Sequence, residues 1–154
     1  GFEVRGYART PRSIVGVATF AGSDQLAAFA NGLDIVVSVL PLTPETTRII
    51  NSGFFAMLAD GAFIINGGRG PQVDDDDLLA ALDSGKLGGA ALDVFAVEPL
   101  PQDHPFWTHP KVRVWPHVAA QTNATSAAEQ VAAAITAMMD GSEPANCVDW
   151  LRGY

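Results

Sequence analysis

Short apolar runs alternate along this chain with segments whose apolar residues recur at helical spacing. Continuous apolar runs at Ile35–Leu40, Ala62–Asn66, Gly89–Phe95 and Val112–Trp115 predict four strands. Because these runs lack polar alternation, we expect both faces of each strand to be buried. The alternating segment Phe2–Tyr7 predicts a further short strand near the start.

The segments between these strands carry helix signals. Helices are predicted near residues 25–30, 46–58 (one or two short helices), 74–85 and 122–139. Ser23 or Asp24 is expected to cap the first of them, and Gly32 to end it. The last helix is rich in alanine, and its Met138 and Met139 are expected to fill a core.

Four consecutive acids, Asp74–Asp77, precede an apolar helical stretch. Acids in a first turn interact favourably with the positive end of the helix dipole, which makes capping the favoured interpretation. A metal site is the alternative, but neighbouring residues on a helix do not share a face, so the four carboxylates cannot all reach one ion.

The alternation of strands and helices predicts an α/β fold with a Rossmann-like, doubly wound parallel sheet. The sequence contains no Gly-x-Gly-x-x-Gly loop, so we expect this sheet to be incomplete at its N-terminal side. In such sheets, reactive groups gather at the carboxyl ends of the strands.

Three chemically matched side chains follow three of the predicted strands. They are a cation, Arg69, a carboxylate, Glu98, and an imidazole, His117. Alone, Arg69 could form a surface ion pair and His117 could be a hydrogen-bonded core residue. As an ordered set, this predicted trio suits binding of an anionic substrate with proton transfer.

Composition and charge limit the classes of function. Apolar residues make up 48% of the 154, which argues against disorder, and no apolar run reaches membrane-spanning length. The net charge of −8 disfavours nucleic-acid binding. Cys147 is the only cysteine, which excludes an intrachain disulfide and a cysteine-based metal site and fits a reducing cytoplasm. No metal is expected.

Several ordered motifs resemble the D-isomer-specific 2-hydroxyacid dehydrogenase family along essentially the whole chain. They are LPLTPET (40–46), DGA (60–62), DDLLAALDSGK (76–86), LDVF (92–95), EPLP (98–101), HVAA (117–120) and the ending RGY (152–154). The resemblance implies NAD(P)H-dependent reduction of a small 2-oxo acid, such as glyoxylate or hydroxypyruvate, to the 2-hydroxy acid.

The resemblance also implies roles for individual residues. Arg69 would hold the carboxylate and carbonyl of the substrate, His117 would donate the proton, and Glu98 would be the partner of His117. Asp93 would lie near the nicotinamide, although an Asp at a strand end can also simply cap a loop. The other implied cofactor contacts are Leu40, Pro41, Gly67, Gly68, Ala119 and Ala120. By contrast, His104 and His109 are expected to be surface histidines.

Cofactor preference is expected from the segment after the first predicted strand. Ala8 stands where NAD-preferring relatives place an acid that binds the ribose hydroxyls. Arg9 and Arg12, with Thr10, could bind the 2′-phosphate of NADP. We therefore expect NADP as the cofactor, with NAD as the alternative. The alternative to phosphate binding is that Arg9 and Arg12 are simply solvated side chains in a polar turn.

Members of this family are considerably longer than this chain. We expect residues 1–121 to be part of a dinucleotide-binding domain and residues 122–154 to return to a substrate-side domain. The full-length protein is expected to be a cytoplasmic homodimer, and this piece alone to be nearly inactive. A non-enzymatic dinucleotide sensor or corepressor-like module is the alternative function, and phosphoglycerate or D-lactate the alternative substrate.

Overall fold

The computed structural model describes residues 1–149 and shows two compact units. The first is Gly1–Pro116, and the second begins at His117. The ending Arg152–Tyr154 lies outside the described residues. The predicted division into residues 1–121 and 122–154 stays a prediction about the longer protein.

The first unit consists of short strands and helices in alternation. Within residues 1–116 these are β1 (Arg5–Ala8), β2 (Ala18–Ala21), α1 (Leu26–Ala30), β3 (Ile35–Ser38), α2 (Ser52–Met57), β4 (Ala62–Asn66), α3 (Asp75–Asp83), β5 (Leu87–Leu92) and β6 (Val112–Val114). Turns of 3₁₀ helix occupy Ser23–Gln25, Gly70–Gln72 and Pro105–Trp107.

The strands form two parallel sheets. β1 pairs with β2, while the larger sheet has the order β3-β4-β5-β6. A cavity of about 240 Å³, lined by both β1 and β3, includes Tyr7, Phe29 and Val37 in its walls. The parallel α/β architecture is as predicted, whereas β2 was not anticipated.

The larger sheet is covered on one face. Val36 and Ile64 pack with Phe54, Phe55, Leu78 and Leu82 of α2 and α3. The alternate residues Val37 and Phe63 are 60% and 51% exposed. The prediction that both faces of β3 and β4 are buried is therefore wrong for residues 1–149, because α2 and α3 pack on the face that bears Val36 and Ile64, while Val37 and Phe63 on the other face are exposed.

Local capping explains where the helices begin. Asp74 caps α3 by accepting the Asp77 N–H at 3.1 Å, which confirms the predicted role of the acidic run. The predicted capping of the first helix is wrong, because Ser23 and Asp24 lie inside the 3₁₀ turn that precedes α1. That turn begins after Gly22, whose φ of 77° suits glycine.

The second unit contains the helix α4 (Ala124–Met139). Asn123 caps it, because its Oδ1 accepts the N–H groups of Thr125 and Ser126 at 3.0 and 3.1 Å. The prediction that Met138 and Met139 fill a core is wrong, since these side chains are 68% and 82% exposed. Across residues 1–149, the structure shows no helix with the length and apolarity needed to cross a bilayer.

Two histidines attach the segment after β5 to α3. His104 Nδ1 accepts the Phe106 N–H at 3.3 Å, and its Nε2 lies 3.9 Å from Asp75. His109 Nε2 lies 3.3 Å from Asp83 at the other end of the helix. The side chains of His104 and His109 are only 21% and 11% exposed, so the prediction of surface histidines is wrong.

Candidate active site

The carboxyl ends of four strands lie in register in the larger sheet. Ser38 pairs with Asn66, Asn66 with Leu92, and Leu92 with Val114. Backbone bonds continue this row past the strands, with Gly67 N donating to Ser38 O at 3.0 Å and Asp93 N to Asn66 O at 3.0 Å. The segments that carry Arg69, Asp93 and Glu98 therefore start from one edge of the sheet.

The backbone of Arg69 is held at both of its polar atoms. Its N–H donates to Oε1 of Gln72 at 3.0 Å, and its carbonyl accepts from Nδ2 of Asn66 at 3.2 Å. Asn66 also accepts the Gly68 N–H at 3.1 Å through Oδ1. Both amide side chains are buried, which fixes the backbone from which the exposed Arg69 side chain extends.

Sequence reasoning missed these two supporting amides. One signal was available, because Gln72 stands three residues after Arg69, the spacing at which a capping-box side chain bonds back to the N-cap N–H. Asn66 was recognised only as the end of a strand. Its function in holding the next three residues depends on its burial at 1% exposure, which the strand pattern does not show.

Glu98 lies on the segment that contacts the Arg69 loop. Its Oε1 accepts the Phe95 N–H at 2.9 Å, and its peptide bond with Pro99 is cis. The Gly70 backbone lies directly against the Phe95 carbonyl, so the segments that carry Arg69 and Glu98 touch. Asp93, at the start of the Glu98 segment, is 7% exposed.

The predicted cofactor residues after β3 and β4 differ in their surroundings. An added β-carbon at Gly67 would have no atom within 4 Å, so this exposed backbone is open to a flat ligand. At Gly68 it would lie 2.5 Å from Gln72 Oε1 and 3.0 Å from Leu40 O, so protein packing already requires glycine there. The carbonyls of Leu40 and Pro41 both accept bonds from Gln72.

Arg9, Thr10 and Arg12 lie on an exposed segment after β1. The Arg12 carbonyl accepts the Thr19 hydroxyl at 2.6 Å, which ties this segment to β2. The pKa of Glu45 lies below its ordinary value, mainly because of a hydrogen bond with Thr43, and the charge of Arg9 lowers it further. The segment thus presents cationic side chains suited to a phosphate.

His117, Ala119 and Ala120 belong to the second unit, where all three are exposed. His117 has a φ of 56°, a left-handed conformation that is uncommon for residues with a β-carbon. Strained backbone of this kind clusters at functional sites. The combination of His117 with Arg69 and Glu98 in one site stays a prediction.

Comparison with protein families gives one match to most of the chain. Residues 1–119 match the family model described as D-isomer specific 2-hydroxyacid dehydrogenase, NAD binding domain.

Two curated relatives match over all 154 residues. The glyoxylate/hydroxypyruvate reductase A of Serratia proteamaculans is 51% identical, and 49% of its length is covered. The protein of the same name from Yersinia enterocolitica is 49% identical, again with 49% of its length covered. The chain thus spans about half the length of the curated relatives it matches.

Solved structures show the same similarity. A D-isomer specific 2-hydroxyacid dehydrogenase from Xanthobacter autotrophicus, in complex with NADPH and MES, matches with a TM-score of 0.96 and 46% identity over 100% of this chain and 64% of that one. The NADPH-dependent glyoxylate/hydroxypyruvate reductase of Sinorhizobium meliloti, with NADP and sulfate, has a TM-score of 0.94 and 41% identity, covering 100% and 50% of the two chains.

Proposed function

Because this chain belongs to the D-isomer specific 2-hydroxyacid dehydrogenase family, we propose that the protein containing it uses NADPH to reduce glyoxylate or hydroxypyruvate to the 2-hydroxy acid. The observation that carries the proposal is the fixed backbone of Arg69 at the carboxyl edge of the sheet. The two relatives that match the whole chain at 51% and 49% identity are both named as glyoxylate/hydroxypyruvate reductases.

Arg69 is assigned to the substrate. A guanidinium is always charged and binds a carboxylate through two parallel hydrogen bonds, which orients the adjacent carbonyl. The clamped backbone of Arg69 limits the positions that its side chain can reach, and such positioning contributes to the rate because the reacting atoms must be aligned.

His117 and Glu98 are assigned to proton transfer. Hydride addition to the carbonyl carbon of the 2-oxo acid builds negative charge on the carbonyl oxygen, and a ring N–H of His117 would donate the proton to that oxygen. Glu98 would accept a hydrogen bond from the other ring nitrogen and orient the ring. Bound NADPH supplies the hydride.

NADPH is the proposed cofactor because the residues after β1 suit its 2′-phosphate. Ala8 offers no carboxylate to repel the phosphate, and Arg9 and Arg12 supply exposed positive charge. The open backbone at Gly67 leaves room for a flat ring near Arg69. The remaining proposed cofactor contacts are Leu40, Pro41, Gly68, Asp93, Ala119 and Ala120. We also propose that the protein is a homodimer, as the family resemblance implies, and that it is cytoplasmic, as its single cysteine suggests.

The test follows oxidation of NADPH in the presence of glyoxylate or hydroxypyruvate, using the protein that contains this chain. Arg69→Lys is expected to raise KM for the 2-oxo acid by roughly tenfold or more, because a lysine cannot form the paired bonds. Arg113→Lys is the matched control, since Arg113 is exposed on β6 and its guanidinium donates to the nearby carbonyls of Pro110 and Val112.

Two outcomes separate an enzyme from a binding module. Turnover that depends on the 2-oxo acid, and that is weakened in Arg69→Lys but not in Arg113→Lys, supports the proposal. Binding of NADPH without any turnover of either acid would overturn it and favour a dinucleotide sensor.

A further inference from the structure

Gln72 has no exposed surface, and its side-chain amide uses its full hydrogen-bonding capacity. Its Nε2 donates to Leu40 O at 2.9 Å and to Pro41 O at 3.0 Å. Its Oε1 accepts from Arg69 N at 3.0 Å and from the Ser38 hydroxyl at 3.5 Å. One buried side chain thus connects the segment after β3 with the segment after β4.

Local capping accounts for only one of these bonds. A residue at this position of a short helical turn needs to accept only the N–H of Arg69. The bonds to Leu40 and Pro41 reach 32 and 31 residues along the chain and involve carbonyls that the turn does not require. A function beyond capping is therefore expected from the two Nε2 donors.

We propose that Gln72 is a positioning residue that sets the Arg69 backbone at a fixed distance from Leu40 and Pro41. This inference rests on the proposed function, in which Arg69 binds the 2-oxo acid and Leu40 and Pro41 contact NADPH. Through Gln72 the substrate and cofactor sites share one buried amide, so that neither segment moves without the other.

Glutamine is the side chain that this arrangement requires. Glutamate has the same shape and keeps the acceptor for Arg69 N–H, but it has no hydrogen for the carbonyls of Leu40 and Pro41 and would place a carboxylate beside them. Methionine has a similar length but supplies neither donors nor an equivalent acceptor. Comparing Gln72→Glu with Gln72→Met therefore separates loss of the two bonds to Leu40 and Pro41 from loss of the whole network, because glutamate keeps the acceptor for the Ser38 hydroxyl and the Arg69 N–H.

The experiment measures kcat, KM for both substrates, the Kd for NADPH without the 2-oxo acid, and Tm in the protein that contains this chain. Lys86→Met is the control, because Lys86 also bonds a carbonyl and a carboxylate, Leu58 O at 2.7 Å and Asp60 at 2.8 Å, but precedes β5 at the other end of the sheet. Rates are compared well below each variant's Tm, so that unfolding does not contribute.

A positioning role predicts that Gln72→Glu raises KM for both substrates and the Kd for NADPH by roughly tenfold, since small displacements of a binding group are costly. Lys86→Met should lower Tm without raising these constants. Should Gln72→Glu not fold, the same constants are read from Gln72→Met.

The two proposals fail in different ways. If the wild-type protein turns over the 2-oxo acid and the Gln72 variants match Lys86→Met in every constant, the inference is wrong and the proposed function stands. If the wild-type protein binds NADPH without turnover, the proposed function is wrong, and the NADPH Kd alone supports or overturns the inference. A wild-type protein that does not bind NADPH overturns both.

Discussion

The α-carbon of Gly70 faces the Phe95 carbonyl so closely that a β-carbon at position 70 would overlap the carbon and oxygen atoms of that group. This contact joins the segment after β4 to the segment after β5. Since Arg69 and Glu98 lie on these two segments, the distance between their backbones depends on a residue that has no side chain.

Replacing Gly70 by alanine is therefore expected to destabilise the protein. The added methyl group meets backbone, which cannot rotate away, so we expect a loss of about 3 kcal/mol in the free energy of unfolding, at the upper end for overpacked sites. Gly67→Ala is the matched control and should change stability by no more than about 0.5 kcal/mol, because its β-carbon meets open space. Urea unfolding measures both, and equal stability of the two variants would contradict the contact.

Ala8→Asp is expected to shift the cofactor preference towards NADH. A carboxylate at the end of β1 would repel the 2′-phosphate of NADPH and accept hydrogen bonds from the ribose hydroxyls of NADH. The ratio of kcat/KM for NADPH to that for NADH should fall by about tenfold, or 1.4 kcal/mol. Ala80→Asp on the exposed face of α3 adds the same charge and should leave the ratio unchanged; a shift in both variants would show a nonspecific charge effect instead.

Because His117 has a left-handed backbone, we expect one substitution there to abolish activity without lowering stability. Asparagine tolerates a φ near the observed 56° better than most residues, so His117→Asn should not lower the free energy of unfolding. It removes the proposed proton donor, and turnover should fall by about 10²–10⁴-fold.

His109→Asn should behave in the opposite way. It removes the contacts with Asp83 and with the Lys111 N–H, so it should lower stability and preserve kcat. Loss of turnover in His109→Asn, or full turnover in His117→Asn, would show that the catalytic histidine has been misassigned.

The pKa values of the adjacent residues Asp74 and Asp75 are shifted in opposite directions, so we expect them to affect stability oppositely as pH changes. The Asp77 N–H, aided by Arg48, holds the pKa of Asp74 below its ordinary value, so ionised Asp74 stabilises the fold above the unfolded pKa of about 3.9. Burial raises the pKa of Asp75, so ionised Asp75 destabilises the fold above that raised value.

Asparagine at each position tests these signs. Asp74→Asn should be less stable than wild type at pH 7, and the difference should disappear as pH falls through the lowered pKa. Asp75→Asn should be more stable at pH 7, and its advantage should disappear as pH falls through the raised pKa towards about 4. Thermal unfolding from pH 3 to 8 measures both; the same sign at the two positions would contradict the assignment.

Sequence patterns predicted the elements whose signals are local. β4 has the predicted bounds, and α3 begins with the predicted acidic cap, because apolar runs and capping residues act over a few positions. The strand β2 was missed because Ala18–Ala21 is short and includes two alanines, which have low strand propensity. One-sided burial of the sheet was missed because an apolar run does not show which helices cover it.

In the candidate site, too, sequence patterns indicated the residues with local signals and missed those whose partners are distant in the chain. Arg69 and Glu98 follow predicted strands, and the family resemblance assigns each of them an expected role. Gln72 was not singled out, because its partners Leu40 and Pro41 are more than thirty residues away and its importance comes from complete burial. The φ of His117 could not be inferred, since nothing in its neighbouring residues requires a left-handed backbone.

The alternation of buried and exposed positions along β4 makes that strand intolerant of changes in length. Asn66 faces inward because it is an even number of positions from buried Ile64 and Ala62. Inserting or deleting one residue within the strand would turn Asn66 to the opposite face and release the Gly68 and Arg69 backbones from its amide. The length of β4 is therefore constrained as tightly as the identity of Asn66 itself.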